Sequence, residues 1–115
     1  VTTPSRVFEL RTYQAGPGQA SALNDRFRTH TLGLFARHGM EVIGFWVPRE
    51  ADGTPTDRLV YLLAFADREA AAAAWEAFRV DPDWVAAKAD SERDGPLAVS
   101  IESVWLDPTD YSPLT

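Results

Sequence analysis

The sequence predicts an α+β fold of the ferredoxin-like type: a four-stranded antiparallel sheet with its elements in the order β-α-β-β-α-β. Three observations carry that prediction. Four short runs, at 8–13, 40–47, 58–65 and 97–106, alternate in polarity or are continuously apolar, as strands are. Two longer segments between them space their apolar residues by three and four, as helices do. Clusters of Gly, Pro and Asp separate these segments. At 115 residues the chain is expected to form one domain, 1–115, burying roughly 65% of its unfolded surface.

After an arm at 1–5 that is expected to be flexible, the first strand is Phe8-Glu9-Leu10-Arg11-Thr12-Tyr13. Successive side chains of a strand point to opposite faces. Phe8, Leu10 and Thr12 therefore share a face that reads as core. Glu9, Arg11 and Tyr13 share the other, which lines either a polar cavity or a solvated ladder. Pro17 starts a helix at no hydrogen-bonding cost. From Gln19 to His38 the positions Ala20, Leu23, Phe27, Thr31, Leu34 and His38 form one apolar face. Gly39 suits the left-handed residue that ends it. His38 is expected to pack at the helix end and bond a terminal carbonyl, and His30, at the edge of the stripe, is the histidine free for chemistry.

Met40 to Val47 is the second strand, with Ile43, Phe45 and Val47 opposite Val42, Gly44 and Trp46; its internal glycine hints at a bulge or a close approach. The polar stretch 48–57 reads as an exposed hairpin loop. In the third strand, Arg58 to Phe65, the run Leu59-Val60-Tyr61-Leu62-Leu63-Ala64-Phe65 implies burial on both faces. Asp67 caps an alanine-rich helix to Arg79 with Ala71, Trp75 and Phe78 on its apolar side. Asp81-Pro82 opens a further short helix toward Arg93. Leu97 to Leu106 is the last strand, and 107–115 is a proline-containing tail expected to pack on the fold or on a partner subunit through Tyr111 to Pro113.

Composition narrows the function classes. The net charge is −6, and all basic residues but Lys88 are arginines scattered along the chain, so no nucleic-acid partner is expected. No run of 18 apolar residues is present to suit a membrane span, and residues 1–6 lack the apolar core of a signal peptide. The absence of cysteine removes disulfides and thiolate chemistry and fits a cytoplasmic protein. The two histidines do not form an i,i+4 pair, and no metal site or cofactor is expected.

The blocks FELRTY (8–13), FARHGM (35–40), GFW (44–46), LVYLLAF (59–65), AAWEAFRVDPDW (73–84) and PTDYSP (108–113) together make the chain resemble the NIPSNAP family over nearly its whole length. The resemblance implies a dimeric α+β barrel, in which two ferredoxin-like sheets face each other, and a compact bacterial member. It does not choose a chemistry, because the wider class of such barrels includes cofactor-free monooxygenases, haem-handling enzymes, isomerases and plain binding proteins.

A second sheet over the first would account for the doubly apolar third strand and would partly bury Glu9, Arg11 and Tyr13 between the sheets. A buried arginine needs a partner, and Glu9 is the nearest. Three functions follow as alternatives. In the first, a pocket bounded by sheet and long helix holds an aromatic or carbonyl-containing molecule against Trp46, Tyr61 and Trp105. Arg11 then stabilises an enolate or carboxylate, and Glu9 or His30 moves a proton without a cofactor. In the second, the protein is a ligand-binding or structural homodimer with no chemistry. The third is a signalling adaptor.

Overall fold

The four strands pair into one antiparallel sheet in a computed structural model that describes residues 6–115. They are β1 (Val7–Ala15), β2 (Glu41–Trp46), β3 (Arg58–Phe65) and β4 (Ala98–Leu106), in the spatial order β2-β3-β1-β4. The element order confirms the ferredoxin-like α+β expectation. The arm at 1–5 lies outside the described residues. β3 and β1, the two central strands, are the ones whose apolar residues face both ways.

Register settles the two faces. Glu9 pairs with Leu63 and Trp105, Arg11 with Tyr61 and Ser103, and Tyr13 with Leu59 and Ile101. These residues share the face under the helices, where Tyr13, Tyr61, Leu63 and Phe65 join Leu23, Phe27, Phe35, Trp75 and Phe78 in the core. The opposite face carries Phe8, Leu10, Thr12, Val60, Leu62 and Val104 and has no helix over it. The expected assignment is therefore inverted: Phe8, Leu10 and Thr12 point away from the helices, and Glu9, Arg11 and Tyr13 lie beneath them rather than between two sheets. Period two fixes which residues share a face but not which face is covered. Here both faces are apolar enough to mislead, and the charges of the covered one cancel within it.

A bulge in β2 supplies a second correction. Val42 pairs with Leu63, but Gly44 pairs with Leu62 and Phe45 with Tyr61, so Ile43 is the extra residue. Val42 thus shares the helix face with Phe45, while Gly44 and Trp46 share the bare one. A Cβ at Gly44 would come within 2.8 Å of the half-exposed Trp46 ring, so a larger residue there makes the indole shift.

The first helix is continuous but not uniform: α1 (Ala20–Arg26), a π-turn (Phe27–Thr31) and α2 (Leu32–Arg37). Leu23, Phe27, Thr31 and Phe35 are all buried at four-residue steps. On a regular helix each such step drifts by about 40°, which would swing Phe35 roughly 120° from Leu23. The wider π-turn takes up one residue, about 100°, and returns both halves to the sheet. Thr31 Oγ1 donates to the Arg26 carbonyl at 3.4 Å beside the irregularity. Gly39, at φ 71°, ends the helix as expected.

The alanine-rich helix α3 (Arg68–Val80) is capped by Asp67, whose Oδ1 accepts the Ala70 N–H at 2.7 Å. Helix α4 (Pro82–Ser91) follows at once, with Asp81 accepting from the Asp83 N–H at 2.9 Å. The tail returns toward the start of the chain. Arg6 donates to the Thr115 carbonyl at 3.0 and 2.9 Å and pairs with Glu41, so the end of the tail is tied down while Tyr111 stands 84% exposed.

Candidate functional site

The row Glu9, Arg11, Tyr13 forms a closed polar network under α3. Glu9 is 2% exposed, and each of its oxygens is engaged. Oε1 accepts the Trp75 indole N–H at 2.7 Å, and Oε2 accepts from Arg11 at 2.9 Å and from the Ser103 hydroxyl at 2.6 Å. Arg11 also donates from Nε to the Tyr61 oxygen at 2.9 Å and from its second terminal nitrogen to Tyr13 at 3.3 Å. The two phenol oxygens lie 3.0 Å apart, so the hydroxyls bond each other as well. Local sequence dictates this grouping: residues two apart on β1 point the same way, and register brings Tyr61 and Ser103 beside Arg11 from the flanking strands.

The electrostatics favour a fixed cation. Burial pushes the Tyr61 phenol well above its ordinary value and the adjacent Tyr13 adds to this, against the pull of Arg11, so Tyr61 stays protonated. For Arg11, burial opposes the charge, but the oxygens of Tyr61, Tyr13 and Glu9 outweigh it and raise the guanidinium further above its already high value. Its plane also lies over Trp75, 4.3 Å from the ring centre.

Beside this network runs a cleft of about 640 Å³ between the sheet and α3. Glu9, Arg11, Ser103 and Trp105 form its floor, and Arg68, Ala72, Trp75, Glu76 and Arg79 its wall. That wall is one helical stripe, at four-, three- and four-residue steps. Arg68 stacks on Trp105 at 4.1 Å, and Arg79 approaches Trp75 at 5.8 Å. The cleft volume suits a small organic molecule.

The structure brings together only part of the expected set. Glu9, Arg11 and Trp105 line the cleft, whereas Tyr13 and Tyr61 sit behind Arg11 as fully covered supports. Trp46 lies on the bare face, 52% exposed, across the sheet from Tyr61 and Trp105. His30 is exposed on the outer side of the π-turn and lines a separate groove of about 530 Å³ with Arg37, Asp83 and Asp90. It cannot exchange a proton with a molecule beside Arg11. His38 does pack at the helix end, but its Nε2 meets Asp81 at 2.7 Å rather than a carbonyl. Sequence reasoning missed Ser103, Arg68 and Arg79 and took Trp75 as core alone. The stripe Arg68-Ala72-Trp75-Arg79 was the available signal.

Among the described residues no cluster of His, Asp and Glu is arranged to hold a metal, and no helix is long and apolar enough to cross a membrane. Chemically, the site offers a held guanidinium with N–H groups to spare, two indole surfaces and two further arginines. Glu9 has given three of its roughly four acceptor positions to neighbours, which suits it to hold Arg11 in place.

The fold has clear counterparts. A NIPSNAP family protein of unknown function from Agrobacterium tumefaciens is 23% identical, with a TM-score of 0.82 over 99% of this chain and 97% of that one. An uncharacterised NIPSNAP-like domain protein from Burkholderia xenovorans is 21% identical, with a TM-score of 0.81 over 96% and 91%. SnoaB, a cofactor-independent oxygenase from Streptomyces nogalater, is 18% identical, with a TM-score of 0.61 over 95% and 98%. Among curated proteins nothing matches the chain. The NIPSNAP family model matches residues 8–113, nearly the whole length, and the chain belongs to the NIPSNAP family.

Proposed function

We propose that the cleft between the sheet and α3 binds a small aromatic or carbonyl-containing molecule through an oxyanion held by Arg11. The observation that carries this reading is the state of Arg11. Three of its five N–H groups are committed to Glu9, Tyr61 and Tyr13, which leaves two for a ligand in a geometry the protein has already fixed. The cleft has three arginines against two glutamates, a local excess of one positive charge on a chain of net charge −6. Trp75 and Trp105 line the cleft, each with a guanidinium on its ring, and give a flat ligand arginine–indole pairs to lie against.

A second reading adds turnover. An enolate or carboxylate oxygen bonded to Arg11 is a stabilised anion, the requirement for cofactor-free acid–base or oxygenase-type chemistry. The fold shared with SnoaB supports this reading as an analogy. The commitment of Glu9 to three donors favours binding over catalysis.

The same proposal includes a homodimer through the bare sheet face. Leu10, Val60 and Leu62 are only half-buried there, and Trp46 and Val104 are about half exposed. A contiguous apolar surface of this kind marks an interaction site.

The test is a tryptophan-fluorescence titration with benzoate and 2-hydroxybenzoate, backed by native mass spectrometry. Saturable binding is expected, weakened about a hundredfold when Arg11 is replaced in a variant kept folded by Glu9→Gln. Absence of binding at millimolar concentrations, or binding indifferent to Arg11, overturns the proposal.

A further inference from the structure

The two outer arginines of the cleft are not needed by the network just described. Among the described residues neither Arg68 nor Arg79 forms an ion pair with a carboxylate, although Glu69 and Glu76 are close in sequence. Exposed arginines elsewhere on the chain divide: Arg28 pairs with Asp25, Arg37 with Asp81 and Asp83, and Arg93 with Asp90, whereas Arg49 and Arg58 form no ion pair among the described residues and lie outside the cleft. Arg68 and Arg79 lie against indole rings instead. A guanidinium stacked on an aromatic face keeps its N–H edge free, and that edge matches the two oxygens of a carboxylate or a phosphate.

Their placement divides the cleft. Arg11 and Arg79 are 4.3 and 5.8 Å from the same Trp75 ring centre, so their guanidinium carbons lie within about 10 Å of each other. Arg68 stands over Trp105, eleven residues earlier on α3 and about 16 Å from Arg79 along the helix axis. The two ends of the cleft therefore present separate guanidinium groups, one set beside each indole.

Building on the oxyanion reading of Arg11, we infer that the natural ligand carries two oxyanion groups on a flat frame. One is received between Arg11 and Arg79 beside Trp75, and the other by Arg68 over Trp105. The substrate class is then an aromatic or unsaturated diacid, rather than a neutral polycycle or a monoacid. The frame lies along the cleft between the two arginine–indole pairs, and the arginines read its ends.

The experiment compares benzoate with phthalate, isophthalate and terephthalate by calorimetry, on the parent protein and on Arg68→Gln, a change at an exposed position. At least one dicarboxylate is expected to bind ten- to a hundredfold tighter than benzoate, the range for one added charge-assisted hydrogen-bonded pair. In Arg68→Gln the ratio of dicarboxylate to benzoate affinity should fall to about one. 4-Phosphonobenzoate distinguishes the two sources of the second oxyanion: tighter binding than terephthalate identifies a phosphorylated acid, and weaker binding a dicarboxylic one. Benzoate binding that depends on Arg11, with no preference for any dianion, overturns this inference and leaves the proposed function standing. Failure of every probe to bind overturns both. A dianion preference that persists in Arg68→Gln also overturns the inference.

Discussion

Replacing Arg11 with Met isolates the worth of the buried ion pair. The change removes the bonds to Glu9, Tyr61 and Tyr13 and leaves a carboxylate 2% exposed beside an apolar chain. Breaking such a pair typically costs 3–5 kcal/mol. Trp75 and Ser103 continue to donate to Glu9, so the lower end of that range, about 3 kcal/mol, is expected here. At roughly 4 °C per kcal/mol for a chain of this size, the melting temperature should fall by about 12 °C. Glu9→Gln in the same chain removes the stranded charge. Its carbonyl can keep the Trp75 bond, and its amide N–H group can donate to the Ser103 oxygen. The double variant should therefore recover about 2 kcal/mol of the loss. Urea melts at one fixed protomer concentration measure both steps, since association would otherwise shift the midpoint. A single variant within about 0.5 kcal/mol of the parent, or a double variant no more stable than the single one, refutes the reasoning.

Three further outcomes are expected. Leu62→Asp, placed at the middle of the bare sheet face, should convert a parent dimer burying more than roughly 1,000 Å² into a monomer by light scattering; a parent already monomeric at micromolar concentration removes the dimer proposal. Gly44→Ala should destabilise by about 1 kcal/mol because its Cβ meets the Trp46 ring, and the penalty should vanish in a Trp46→Ala background; simple additivity would show that the contact is not its cause. The third outcome concerns pH. The His38 ring, the Asp83 amide and Arg37 hold the Asp81 carboxyl below its ordinary value. Such a group stabilises the fold above its unfolded value of about 3.9, and the contribution is lost as pH falls through the folded value. Parent stability should drop more steeply than that of Asp81→Asn below about pH 4; parallel pH profiles in urea melts would refute this.

Much of the fold was legible because periodicity reports it directly. The strand–helix order, the stop at Gly39, the irregularity at Gly44 and the doubly apolar β3 all follow from spacing and residue type. The orientation of the sheet was not legible, since alternation is symmetric and a bare apolar face looks like a core. That ambiguity also misdirected the site. Grouping Glu9, Arg11 and Tyr13 was correct, but their cover is α3, and Trp46 was drawn into the wrong company because one bulged residue reverses parity along β2. His30 illustrates a different blind spot: it sits within the π-turn, whose wider spacing moves it off the buried stripe, and no residue type announces such a turn. Ser103 became visible only through register, because a lone serine on an edge strand carries no signal until Glu9 lies beside it.

The π-turn also bears on how the helix tolerates changes in length. Losing one residue from a buried helix normally rotates the downstream half by about 100° and strips its contacts. Here the opposite holds. Shortening the chain by one among the exposed positions Arg28, Thr29 and His30 would close the wide turn into a regular helix. Leu23, Phe27, the buried threonine and Phe35 would then fall within about 60° of one another. The segment behaves as a helix that has absorbed an insertion without unwinding, and the surplus residue is shed at the surface. In aligning family members across this helix, a one-residue gap opposite 28–30 therefore leaves the buried stripe on one face.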